Sequence, residues 1–174
     1  SGMGHVLILK NDGSLWGFGN NMYGQLAQGT MSMSIEEQLL KSPYMIYAEC
    51  EPSKYTEPIK IMDDVKSMAT GMGFSVVLKN DGSVWIFGLS MAGDLGDGRY
   101  TIINNKPIKV LENGLEVFAG EDAGFAITGD NELWRWGSNY WNLGGAIYHR
   151  YALPVRYTSN VKCVSNMQGY NFVV

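Results

Sequence analysis

Three short apolar runs punctuate the chain, at residues 6–9, 76–78 and 125–127. Each is continuous rather than alternating, the pattern of a strand covered on both faces, so all three are predicted as central strands of a sheet. A polar break follows each run. Asn11-Asp12-Gly13 and Asn80-Asp81-Gly82 read as hairpin loops, because Asp starts a turn readily and Gly accepts the positive φ that closes it. Gly129-Asp130-Asn131 does the same with Asn in the left-handed position. Past the break come aromatic residues two apart, Trp16 and Phe18, Trp85 and Phe87, Trp134 and Trp136, which project from one face of their strand. Such a face must be covered by another element.

These patterns are copies of one unit. The stretch from His5 to Gly19 recurs from Phe74 to Gly88 and, more worn, from Phe125 to Gly137, with Trp-to-Trp steps of 69 and 49 residues. The longer step holds an insertion at residues 30–57. A second element repeats out of phase, Pro58-Ile-Lys, Pro107-Ile-Lys and Pro154-Val-Arg, and Gly73, Asp122 and Gly169 each lie 15 residues further on. Pro cannot donate to a ladder, so it marks a strand start or an edge, here the outer rim. Four antiparallel strands per unit, with an aromatic face that no unit buries alone, is the logic of a β-propeller. The fold expected is all-β, a partial propeller of four-stranded antiparallel blades with about three to three and a half repeats. As meanders begun from the Pro strand, residues 58–88 and 107–137 make two whole blades, with 4–19 and 154–174 as partial ones.

The joint motif, Lys-Asn-Asp-Gly-Ser-Leu/Val-Trp-x-Phe-Gly followed by Asn20-Asn-Met-Tyr-Gly24-Gln25-Leu26, resembles the regulator-of-chromosome-condensation repeat. That resemblance implies a mostly seven-bladed propeller, of which this chain supplies about half. One domain over 1–174 is expected, with repeat units at about 4–72, 73–121 and 122–168 and a fourth beginning at 169–174. Both ends read as unfinished, which suggests a fragment or a chain that completes itself with another copy. Within the family, some members act as nucleotide-exchange factors for a small GTPase and one propeller of this type inhibits a β-lactamase. Recognition of another protein is what they share.

Charge and chemistry narrow the functions. Thirteen Lys and Arg against 17 Asp and Glu give a net charge of −4, without the basic excess that nucleic-acid binding requires. No apolar run reaches the roughly 20 residues of a membrane span. His5 reads as structural, and His149 has no second ligand at metal spacing. Cys163 reads as a buried thiol in a strand over 161–164, and Cys50 falls in the insertion. The run from Asp94 to Gly98 lacks the remaining oxygen ligands of a calcium loop and reads as a turn. Asp63 with Asp64, and Glu121 with Asp122, read as turns in register with each other. No phosphate loop, nucleophile elbow or dinucleotide fingerprint is present, so no enzyme, cofactor or metal is indicated.

Surface recognition remains. After its Trp hairpin the third unit clusters Tyr140, Trp141, Tyr148, Arg150 and Tyr151, residue types that dominate interface energetics. They are the candidate partner-binding residues, although the same side chains could fill space between blades. The leading function is a non-enzymatic protein-interaction module with a protein partner. The alternatives are a carbohydrate-binding or cell-surface module, since Trp and Tyr also stack on sugars, or a self-assembling architectural unit joined through open blade edges. The low Lys and Glu content favours an exterior location over the cytoplasm.

Overall fold

The computed structural model describes residues 4–21, 23–29, 54–89, 95–98, 103–138, 150–167 and 170–173, and among them every regular element is a strand. The first sheet holds β1 (His5–Leu9), β2 (Leu15–Asn20) and β3 (Lys54–Met62) in that order. The second holds β4 (Val65–Thr70), β5 (Phe74–Lys79), β6 (Val84–Leu89) and β7 (Ile103–Leu111). The third repeats this with β8 (Gly114–Ala119), β9 (Ala123–Thr128), β10 (Glu132–Ser138) and β11 (Arg150–Ser159). β12 (Val164–Met167) and β13 (Tyr170–Val173) pair as the start of another. Every pairing is an antiparallel meander, which makes this the expected all-β arrangement of four-stranded blades.

Strand order corrects the phase of the blades. The Pro-bearing strands β3, β7 and β11 close their sheets instead of opening them, so the complete blades span residues 65–111 and 114–159. They also begin before their prolines: β3 starts at Lys54, which takes residues 54–57 out of the insertion. Opposite each Pro the register slips. Gly17 pairs Ile59 while Gly19 pairs Tyr55, Ile86 pairs Ile108 while Gly88 pairs Asn104, and Arg135 pairs Val155 while Gly137 pairs Tyr151. Between these pairs one residue of the inner strand thus faces three of its neighbour, and the bulge gives the proline a place where no ladder donor is needed. Residues 30–53 lie outside the described residues.

Alternate residues of the central strands face opposite neighbours. Phe74, Val76 and Leu78 pack with Val117, Ala126 and Trp136 of the third sheet, while Val77 packs back against Leu7 and Leu15 of the first. All of β5 and β9 except Lys79 is buried, as a strand clad on both faces requires. In β1, Ile8 takes the place of Val77 but stays 36% exposed, because no sheet described in this chain covers that side.

The third repeat is offset from its sequence alignment. Ala123, not Phe125, holds the place of His5 and Phe74: each lies opposite the glycine that ends the aromatic pair, Gly137, Gly19 and Gly88. Phe125 therefore stands at the level of Val76. Backbone bonds then tie blade to blade at equivalent points. The carbonyls of Gly13, Gly82 and Asn131 accept from the N–H groups of Val65, Gly114 and Val161 at 2.9, 2.8 and 3.0 Å.

Candidate functional site

Meander geometry sorts the connections into two ends. At one lie the turns between first and second strands and the long connections between third and fourth strands; at the other lie the hairpins between second and third strands and the crossings to the next blade. At the first end, the described parts of the first two long connections hook over the outer strand of the following blade. Gly29 N–H donates to Asn105 O at 3.0 Å and Gly98 N–H to Ala152 O at 2.6 Å. The sharp return at residues 23–26 is held by Asn21 Oδ1, which accepts from Leu26 N–H, and by Gln25 Oε1, which accepts from Tyr23 N–H. Gly24 is obligatory there: its φ is +75° and a Cβ would sit 2.6 Å from Asn105 Cα.

Of the five candidate contact residues, Tyr140, Trp141 and Tyr148 lie outside the described residues, and Arg150 opens β11. Tyr151 is half-buried, with the Arg135 guanidinium carbon 5.1 Å from its ring centroid. Arg135 is a residue the sequence reading passed over. It is 6% exposed, with Tyr157 at 5.6 Å and Phe125 at 5.9 Å completing an aromatic surround. Burial lowers its pKa, and Tyr151 and Tyr157 offset part of that. Nε and Nη2 have no hydrogen-bond partner among the described residues. A comparison of the repeats would have found it, because Gly17 and Ile86 hold this position in the other two units.

The remaining candidates fall into place by burial. His5 is 1% exposed and its Nε2 lies 3.1 Å from Ser75 Oγ, whose hydroxyl donates to Gln25 O at 3.0 Å. With the serine proton committed, His5 carries its hydrogen on Nε2, and the group is a polar link inside the contact between first and second sheets. Cys163 corrects its expectation: it is a free, exposed thiol, placed just before β12 starts at Val164. Cys50 and His149 lie outside the described residues. Asp97 accepts from Asn104 Nδ2 at 3.3 Å, which ties its turn to β7. Asp63 and Asp64 form the crossing from β3 to β4, whereas Glu121 and Asp122 turn from β8 to β9, so the two pairs sit at opposite ends and not in register. Among the described residues no three His, Cys, Asp or Glu side chains converge on a common point, and no helix is long and apolar enough to cross a membrane.

Comparison with known proteins agrees with this architecture. Residues 12–78 match the profile of the Regulator of chromosome condensation (RCC1) repeat. The E3 ubiquitin-protein ligase HERC2 of Homo sapiens is 28% identical over 144 residues, 80% of this chain and 3% of that protein. The Protein RCC2 homolog of Danio rerio is 26% identical over 144 residues, 80% of this chain and 26% of that one. The chain thus spans about a quarter or less of these relatives. Prp20p from Saccharomyces cerevisiae, solved in a study of its binding properties to Gsp1p and histones, superposes with a TM-score of 0.70 at 20% identity, over 99% of this chain and 41% of that one. Human WBSCR16 gives 0.70 at 20% identity, over 94% and 40%. The relatives also overturn the exterior location, since RCC1 and RCC2 proteins are nuclear or cytoplasmic. The low Lys and Glu content follows from short strands and tight turns, which leave few solvated helical faces to charge.

Proposed function

This chain belongs to the regulator of chromosome condensation repeat family, and from that premise we propose that it is a non-enzymatic protein-binding module. Members of this family commonly bind proteins or act as nucleotide-exchange factors. The contact surface is the end that carries the long connections, with Tyr140, Trp141, Tyr148, Arg150 and Tyr151 supplying the aromatic and cationic anchors. One observation carries the reading. Tyr151, the second residue of β11, is held against the buried Arg135, so this candidate contact residue sits on a fixed part of the scaffold. Loops that bind well are commonly presented this way, on a scaffold that does not yield.

The test is to identify a protein captured by the chain, purify it, and measure its binding by calorimetry. Trp141→Ala and Tyr140→Ala are expected to weaken it by about tenfold or more, as interface anchors do. Lys66→Ala, at the start of β4, leaves it unchanged. Equal affinity for all three variants would overturn the assignment.

A further inference from the structure

The hairpins of the first two blades carry the same three-residue relay. Asp12 Oδ1 accepts from Ser14 N–H at 2.9 Å and from its hydroxyl at 2.6 Å, and Ser14 Oγ accepts from Trp16 Nε1 at 2.8 Å. Asp81, Ser83 and Trp85 repeat it at 2.9, 2.5 and 2.8 Å. In the third blade Glu132 stands where the serine should be. Its carboxylate turns outward to Arg156 Nη1 at 2.8 Å, and Trp134 Nε1 is left buried with no hydrogen-bond partner among the described residues. A buried N–H without an acceptor is costly and uncommon in native proteins.

That indole lines a groove of about 500 Å³ between the second and third blades, at the hairpin end. Lys109 and Glu112, from β7 and the crossing after it, line it together with Thr128, Asp130 and Glu132 from the β9–β10 hairpin. Two of these carboxylates are already neutralised, Glu112 by Lys109 at 2.7 Å and Glu132 by Arg156. Asp130 is exposed and has no ion-pair or hydrogen-bond partner among the described residues. The groove therefore offers one uncompensated negative charge and one donor without an acceptor.

We propose that this groove binds a basic peptide segment, whose Lys or Arg side chain meets Asp130 while a carbonyl beside it accepts from Trp134 Nε1. A single peptide residue supplies both the cation and the acceptor, which an inorganic cation or a simple amine does not. Glu132 lines the same groove beside the indole and is tied to Arg156, whose side chain is 62% exposed, so a rotamer change of this pair is enough to admit the carbonyl. The groove lies at the opposite end from the proposed contact connection, and either assignment can fail without the other.

The test uses the whole chain, labelled with nitrogen-15, and the probe Ac-Ala-Lys-Ala-Lys-Ala-NH2, with Ac-Ala-Glu-Ala-Glu-Ala-NH2 as control. The Trp134 indole cross-peak is assigned by its loss in Trp134→Phe. It is expected to move on titration with the lysine peptide and to stay with the glutamate peptide. Asp130→Asn, an exposed change that leaves folding intact, is expected to weaken binding about tenfold, the scale of one charge-assisted contact. Glu132→Ser is expected to rebuild the relay, occupy the indole proton and weaken binding by a similar factor. An unmoved cross-peak at millimolar lysine peptide, equal shifts with both peptides, or unchanged binding in both variants would each overturn the proposal.

Discussion

Gly124 lies directly opposite Trp136 on β9 and β10, and the indole occupies the space that a Cβ at position 124 would need. The same pair is Ser75 and Phe87 in the second blade, where a smaller ring leaves room for a side chain. The larger aromatic and the missing Cβ are thus one compensated change, and Trp136 is fully buried as a result. Gly124→Ser alone is expected to destabilise by about 1–3 kcal/mol through overpacking, and Trp136→Phe alone by a cavity of similar scale. Together they recreate the second blade's pair, so the double variant is expected to recover much of the loss. A denaturant double-mutant cycle measures the coupling, and additive costs would refute the pairing.

The Asp81–Ser83–Trp85 relay gives a second expectation. Ser83→Ala removes the acceptor of a half-buried indole and one donor to Asp81 at once, so a loss of about 1–2 kcal/mol is expected from thermal or urea unfolding. Glu132→Ala in the third blade breaks no such relay and removes only a surface ion pair with Arg156, so its cost is expected to stay below about 1 kcal/mol. Equal costs at the two positions would mean that the serine relay adds nothing.

Much of this fold is legible along the chain, because its information is local: a continuous apolar run, an Asp-Gly turn and an aromatic pair identify β5 and β6 without any distant contact. The phase of the blade is not local. Pro58, Pro107 and Pro154 announce an edge, but only strand pairing shows that this edge closes one sheet and does not open the next. The offset of Phe125 is hidden for a related reason. Its ring matches Phe74 by residue type, but the hairpin turn fixes register and places Ala123 opposite Gly137. The apolar neighbours of Cys163 point to burial, but a residue just ahead of a strand need not share the strand's burial. At the candidate sites, Arg135 and Glu132 are visible as departures from the other repeats, but their meaning rests on which face each side chain takes and on what it leaves unpaired.

Arg135 holds a charge where the second blade has Ile86, fully buried. A guanidinium in the interior with two nitrogen groups unpaired among the described residues is destabilising, and burial already lowers its pKa. Arg135→Ile is expected to raise stability by about 1–3 kcal/mol, read from the unfolding midpoint. A lower midpoint would mean that the rings of Phe125, Tyr151 and Tyr157 more than compensate the buried charge.

Acid titration separates two kinds of carboxylate. Asp12 and Asp81 are held below their ordinary 3.8, chiefly by the hydroxyls of Ser14 and Ser83, so their stabilisation is complete above that value and is lost as pH falls through the lowered one. Asp122 behaves in the opposite sense. Burial, with Glu121 beside it, raises its pKa above 3.8, so the folded state holds the proton more tightly than the unfolded chain. Its effect is a loss of stability as pH climbs from 3.8 through the raised value, complete at neutral pH. Asp122→Asn keeps the shape of the side chain and removes that charge. The variant is expected to melt above the parent at pH 7 and to match it at pH 3, where both forms of residue 122 are neutral. Melting curves at the two pH values decide it: a variant that melts at or below the parent at pH 7 would show that the ionised Asp122 stabilises the β8–β9 turn.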